Sequence, residues 1–138
     1  MQRFGDQSWQ MTIALRLNHI SLRVRNLGVS SKFYQDVLLL KEIKNGTGAP
    51  NIRWFAIGQG QSVHLIEGDF GNTFVTIATH FCISSAQFDR TLQHLTNSGV
   101  GFCNLTRDVG KEHVRADGIR SVYLQDPDGY WIEINEDY

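Results

Sequence analysis

The chain has 138 residues, 41% of them hydrophobic, and a formal net charge of -1 at pH 7. That is enough apolar material for one core, and it leaves no electrostatic footprint for a nucleic acid or an anionic membrane. Residues Met1 to Gln10 are mostly polar and carry no apolar run of signal or membrane-spanning length. A cytoplasmic protein whose first ten residues are disordered is therefore expected. Cys82 and Cys103 are too few and too far apart for a disulfide framework or a thiolate zinc site, so reduced thiols are the expectation.

Leu17 to Arg25 alternates strictly, with Ile20, Leu22 and Val24 on one face and His19, Ser21, Arg23 and Arg25 on the other. The apolar face needs cover, and an amphipathic helix follows at once. Phe33, Val37 and Leu40 fall at i, i+4 and i+7, with Asn26 or Ser30 placed to cap it. Three strands come next, near Lys41 to Lys44, Asn51 to Ile57 and Gln61 to Glu67, with Gly58 and Gly60 flanking the last turn. In the final strand Val63 and Leu65 face the core, while His64 shares its face with Ser62.

After a Gly- and Thr-containing connector, roughly residues 68–76, the pattern begins again. Ile77 to Ser84 is a strand with Phe81 and Ile83 on one face and His80, Cys82 and Ser84 on the other. Ser85 is placed to cap a helix in which Phe88, Leu92 and Leu95 repeat the spacing of the first, and Gly99 sits at the C′ position. Strands are expected near Val100 to Thr106, Ile119 to Gln125 and Tyr130 to Asn135. The turn Asp126-Pro127-Asp128-Gly129 makes the last two a hairpin. The expected fold is α+β, with two tandem βαβββ modules (about 15–67 and 77–136) in one domain forming a curved mixed sheet.

The repeat has a register. Aligning the two closing hairpins puts Gly60 on Gly129, Val63 on Ile132, Leu65 on Ile134 and therefore His64 on Glu133; likewise His19 falls on His80. All four side chains lie on the strand face turned away from the helices, so a curled pair of modules would line one cup with them. Two or three imidazoles and a carboxylate suit one borderline divalent ion, Zn, Ni, Fe(II) or Mn, with positions left for water or substrate. A lone strand histidine is more often exposed or hydrogen-bonded, and His94, on the polar face of the second helix, and His113, in a charged loop, fit that bland reading. The shared parity and register argue against it for the other three.

Asn-His-Ile-Ser at 18 to 21, Phe33-Tyr34, His64-Leu65, His80-Phe81 and Asp126-Pro127-Asp128-Gly129 before Ile132-Glu133 together resemble the vicinal oxygen chelate superfamily. This is the superfamily of glyoxalase I, bleomycin-resistance proteins, fosfomycin-inactivating thiol transferases and extradiol dioxygenases. The resemblance runs from about Leu17 to Asn135. It implies a metal held at His19, His80 and Glu133, with a fourth ligand at His64 in the glyoxalase I pattern. That fourth position is usually a glutamate, so the chain departs from the pattern and leaves Glu133 as the proton-moving carboxylate. The thiol transferases share a hydroxyl at the position of Ser21 and a serine at Ser121.

Parity also places Arg23, Trp54, Ser121, Tyr123, Gln125 and Trp131 beside Ser21 on the cup faces, where they would wall a pocket for a small organic ligand. The plainer alternative is that the aromatics fill space between modules. The segment Thr106 to Gly118 carries Arg107, Lys111, His113 and Arg115 and exceeds the usual connection length. It reads either as a lid over an anionic substrate or as a solvated loop.

Two function classes remain. One is a metal-dependent lyase or isomerase of glyoxalase I type acting on a small, glutathione-linked substrate, with thiol transfer and dioxygenation behind it. The other is a non-catalytic small-molecule binding protein. Each module offers two of the four ligands, and small relatives of this kind pair their modules across a two-fold axis, so a homodimer is expected.

Overall fold

The computed structural model describes residues 13–138; the N-terminal segment expected to be disordered lies outside them. The first module comprises β1 (His19–Val24), α1 (Leu27–Asp36), β2 (Lys41–Ile43), β3 (Ile52–Gly58) and β4 (Gln61–Glu67). The second comprises β5 (His80–Ser84), α2 (Phe88–Asn97), β6 (His113–Val114), β7 (Arg120–Gln125) and β8 (Trp131–Asn135). Each builds its own four-stranded mixed sheet, in the orders β1-β4-β3-β2 and β5-β8-β7-β6. The first and last strands of each module pair in parallel, with the first strand at one edge of the sheet. The expected two βαβββ modules are present, as two sheets.

Local chemistry explains the boundaries. Asn26 caps α1, its side chain accepting from Val29 N at 2.9 Å. The β3–β4 turn needs left-handed backbone at Gly58, Gln59 and Gly60, which the two glycines adopt without steric cost. Among the described residues no helix is long and apolar enough to cross a membrane.

Three expectations are corrected. Val100 to Thr106 forms no ladder strand. Only Cys103 makes isolated bridges, to Val109 and Tyr123, and the second strand of the second module is β6, inside the segment read as a connector. Asn104 breaks the strand, because its side chain accepts from Thr106 N and Asp108 N and closes a turn instead. At the second helix Gln87 takes the N-cap position without a side-chain bond, and Ser85 stands two residues earlier, accepting from Gln87 N. The first helix ends at Asp36, so Val37 and Leu40, expected on it, pack against the core from beyond its end, alongside Phe33 from within it. Tyr34 is fully buried, and of the two cap candidates Asn26 caps while Ser30 is buried.

The helix-facing sides of the two sheets meet in one core. Val24, Tyr34, Phe55, Val63 and Leu65 from the first module pack with Phe88, Leu95, Val122, Leu124, Ile132 and Ile134 from the second. Polar bonds lock the modules at the β7–β8 turn. Tyr34 Oη donates to Asp126 Oδ2 at 2.9 Å, Ser30 Oγ to Asp128 Oδ2 at 3.2 Å, and Arg25 N to Asp128 Oδ1 at 3.2 Å. Asp126 Oδ1 also accepts from Asp128 N and Tyr130 N. His94 joins the lock, its Nε2 donating to Asp36 O at 2.9 Å. Because the apolar faces are used here, the opposite faces carry the polar side chains outward.

Candidate metal and substrate site

In the first module β4 lies between β1 and β3, so the register puts His64 opposite both Ser21 and Trp54. The His64 ring is sandwiched in a stack. Trp54 lies on one side at 4.0 Å between centroids and 2° between planes, and His19 also stacks on it at 4.0 Å and 10°. His64 Nε2 is 2.9 Å from Ser62 Oγ. Burial first, and then the neighbouring His19, hold its pKa below the ordinary imidazole value, so the ring is neutral at pH 7. His19 donates from Nδ1 to Asn18 Oδ1 at 2.8 Å, which places its lone pair on Nε2.

The second module repeats this tautomer selection. His80 Nδ1 donates to Ile77 O at 2.7 Å, so Nε2 carries the lone pair, and it stands 4.0 Å from Glu133 Oε1. That separation is too long for a hydrogen bond, and it exceeds the roughly 3.3 Å between two ligand atoms on a tetrahedral ion, so the pair would have to draw together to share a metal. Tyr123 Oη donates to the same carboxylate oxygen, and the Tyr123 ring meets His80 edge-on at 5.4 Å. Burial, with the carboxylate second, pushes the Tyr123 hydroxyl up to about 12 and keeps it a donor. Cys82 stands directly opposite Glu133 in the β5–β8 ladder. Although the residue is exposed as a whole, partial desolvation of its thiol, and after it the facing Glu133 carboxylate, push the Cys82 pKa well above its usual range.

The remaining predicted residues distribute unevenly. Ser121 is buried and lines a small cavity of about 90 Å³ with Tyr123, Glu133 and His113. Gln125, Tyr123 and Trp131 line a second cavity of about 330 Å³. Ser21 lies exposed beside the ring stack. Arg23 packs its guanidinium over Gly68, at the far end of the strand pair. The largest described cavity, about 600 Å³, lies between the end of α1 and the start of α2 and contains none of the predicted site residues.

Within one chain the four candidate ligands form two pairs, His19 with His64 and His80 with Glu133. Among the described residues no three His, Cys, Asp or Glu side chains converge as a metal site would require. Donor chemistry nonetheless fits a divalent ion. Two imidazoles present Nε2 with Nδ1 tied back, the usual arrangement of metal-ligating histidines, and a carboxylate stands beside one of them. His64 differs, since its Nε2 is engaged with Ser62. Cys82 and the Tyr123–Glu133 bond were not singled out from sequence, although strand parity places Cys82 on the His80 face.

The family model for the Glyoxalase/Bleomycin resistance protein/Dioxygenase superfamily matches residues 16–134. The chain belongs to this superfamily. A lactoylglutathione lyase of Haemophilus influenzae is 30% identical over 130 residues, spanning 88% of this chain and 93% of the relative. A metallothiol transferase, FosB, of Staphylococcus saprophyticus is 25% identical over 124 residues, spanning 86% of this chain and 75% of the relative. The fold matches a glyoxalase family protein from Bacillus anthracis with a TM-score of 0.72 at 17% identity, over 90% of this chain and 96% of that one. Superfamily members therefore share this architecture across different reactions, and these curated relatives are named as enzymes.

Proposed function

We propose that the protein is a metal-dependent enzyme of glyoxalase type, acting on a small substrate that presents two adjacent oxygens. Its site forms where the first module of one protomer faces the second module of another. The observation that carries this reading is the complementary pair of half-sites. His19 offers an open Nε2 in one module, and His80 with Glu133 offers an open Nε2 and a carboxylate in the other. His19, His80 and Glu133 would hold one divalent ion, of the set Zn, Ni, Fe(II) or Mn, whose Lewis acidity stabilises negative charge developing on the substrate oxygens. Two-fold pairing of the chains makes two such sites.

His64 is the base in this reading. It is neutral, buried and stacked on His19, and its Nδ1 has no partner among the described residues. With Nε2–H donated to Ser62, Nδ1 carries the lone pair that takes a proton from a substrate carbon and returns it to the neighbouring one. Glu133, restrained by Tyr123, serves as a ligand. Trp54 keeps water from one face of His64.

Two measurements test the proposal. The hemithioacetal of methylglyoxal and glutathione should be turned over with Ni, Co or Zn added; no turnover with any metal would favour thiol transfer, to which Ser21 and Ser121 are suited. Mixing His19→Ala and Glu133→Ala chains should restore part of the metal binding that each has lost. A monomer that binds metal fully by sedimentation and metal analysis would refute the shared site.

A further inference from the structure

The loop after Cys103 holds a feature that the metal site does not account for. Arg107 has a φ of 69°, a left-handed backbone that a non-glycine residue rarely adopts. A dense local network holds it there. Arg107 N donates to Asn104 O at 3.0 Å, Asn104 Nδ2 to Asp108 Oδ2 at 2.9 Å, and Thr106 Oγ1 to the same oxygen at 2.8 Å. Asp108 is thereby occupied by its own turn. Arg107 makes no ion pair with any acid among the described residues, unlike Arg25, Arg53, Arg115 and Arg120.

The guanidinium instead lies over the Trp131 ring, 5.7 Å from its centroid. Trp131 stands directly opposite His80 in the β5–β8 ladder and opposite Gln125 in the β7–β8 ladder. Arg107, Trp131, Tyr123, Gln125 and Cys103 line the same cavity of about 330 Å³, within the range of small-molecule sites. Tyr123 connects that cavity to the Glu133 carboxylate. A cation with no acid partner thus stands over an aromatic floor beside the His80–Glu133 half-site.

We propose that Arg107 is the substrate-charge recognition residue. It selects small anionic substrates whose carboxylate, or another oxyanion of similar shape, lies at the opposite end of a flat or slender scaffold from the two chelating oxygens. The scaffold lies along Trp131, and the oxyanion takes the fork of Arg107. This assignment rests on the metal-site reading for the chelating end only.

The test compares 3,4-dihydroxybenzoate with its uncharged counterpart 3,4-dihydroxybenzamide. Both present the same ring and vicinal oxygens. Binding to the zinc-loaded, dialysed full-length protein is followed by calorimetry, with Zn affinity and thermal midpoint measured for every variant. The benzoate should bind at least about tenfold more tightly than the benzamide, the size of one hydrogen bond to a charged group. Arg107→Gln should abolish that preference, leaving benzamide affinity, Zn affinity and thermal midpoint unchanged, and Arg107→Lys should restore part of it. Equal binding of the two probes by the unaltered protein, or an Arg107→Gln variant that still prefers the benzoate, overturns the proposal. So does a variant that loses affinity for both probes alike. Failure of the unaltered protein to bind zinc, with the benzoate preference intact, would overturn the metal site and leave the Arg107 assignment standing.

Discussion

Replacing Tyr34 by Phe removes one atom from the centre of the molecule and tests the bond that locks the two modules together. Tyr34 is fully buried and Asp126 is 5% exposed, so water cannot replace the hydroxyl. Burial pushes the Asp126 carboxyl up to about 6, against the pull of its Tyr34, Tyr130 and Asp128 donors. Above that pH the lost bond is one to a buried charge and costs about 2 to 3 kcal/mol; below it the bond is neutral and costs about 1 kcal/mol. The sign follows from linkage. A carboxyl whose folded pKa is raised contributes stability that is present below its unfolded value near 4 and is lost as pH rises toward 6. For a rise from 3.8 to about 6 that loss is about 3 kcal/mol, and removing the Tyr34 donor deepens it. Urea denaturation of both proteins between pH 4.5 and 8 measures the difference, and Asp126→Asn should flatten both profiles. A Tyr34→Phe penalty that is the same at both ends of the range, or below about 0.5 kcal/mol throughout, would refute the account of the lock.

Two further outcomes follow from the half-sites. His64→Gln should leave Zn affinity within about threefold while lowering hemithioacetal turnover by about a hundredfold or more, as expected for loss of a general base rather than a ligand. A parallel loss of zinc would make His64 a ligand. Tyr123→Phe removes the donor that holds Glu133, and competitive chelation should show metal affinity falling about tenfold to a hundredfold. Unchanged affinity would mean that the strand alone positions the carboxylate.

Much of the path to the site is covalent geometry. Successive side chains of a strand alternate faces whatever surrounds them, so Ile20, Leu22 and Val24, or Ile132 and Ile134, announce the core side. His19, His64, His80 and Glu133 then fall on the other. The turn glycines add register, because left-handed backbone is cheap only there: Gly58, Gly60, Gly99 and Gly129 all adopt positive φ. These local rules hold for every copy of a repeat, and the two-module architecture was legible for that reason.

Alternation chooses a face but not a rotamer or a partner, and those depend on residues far away in the chain. The helical spacing marks Phe33 as core-facing and says nothing of Tyr34, whose phenol can be buried because Asp126, 92 residues on, provides an acceptor. His64 shares its parity with a ligand position, yet Ser62 and the Trp54 ring take its nitrogen and its face. The β-forming run from Val100 stops at Asn104, since a side chain able to satisfy the turn competes with the ladder, and the strand resumes at His113. Arg107 over Trp131 and Cys82 against Glu133 are contacts across elements. The sequence alone determined the repeat, the faces and the candidate ligands, because backbone geometry sets these; only the tertiary structure decided which polar atoms are already occupied, because long-range packing sets that.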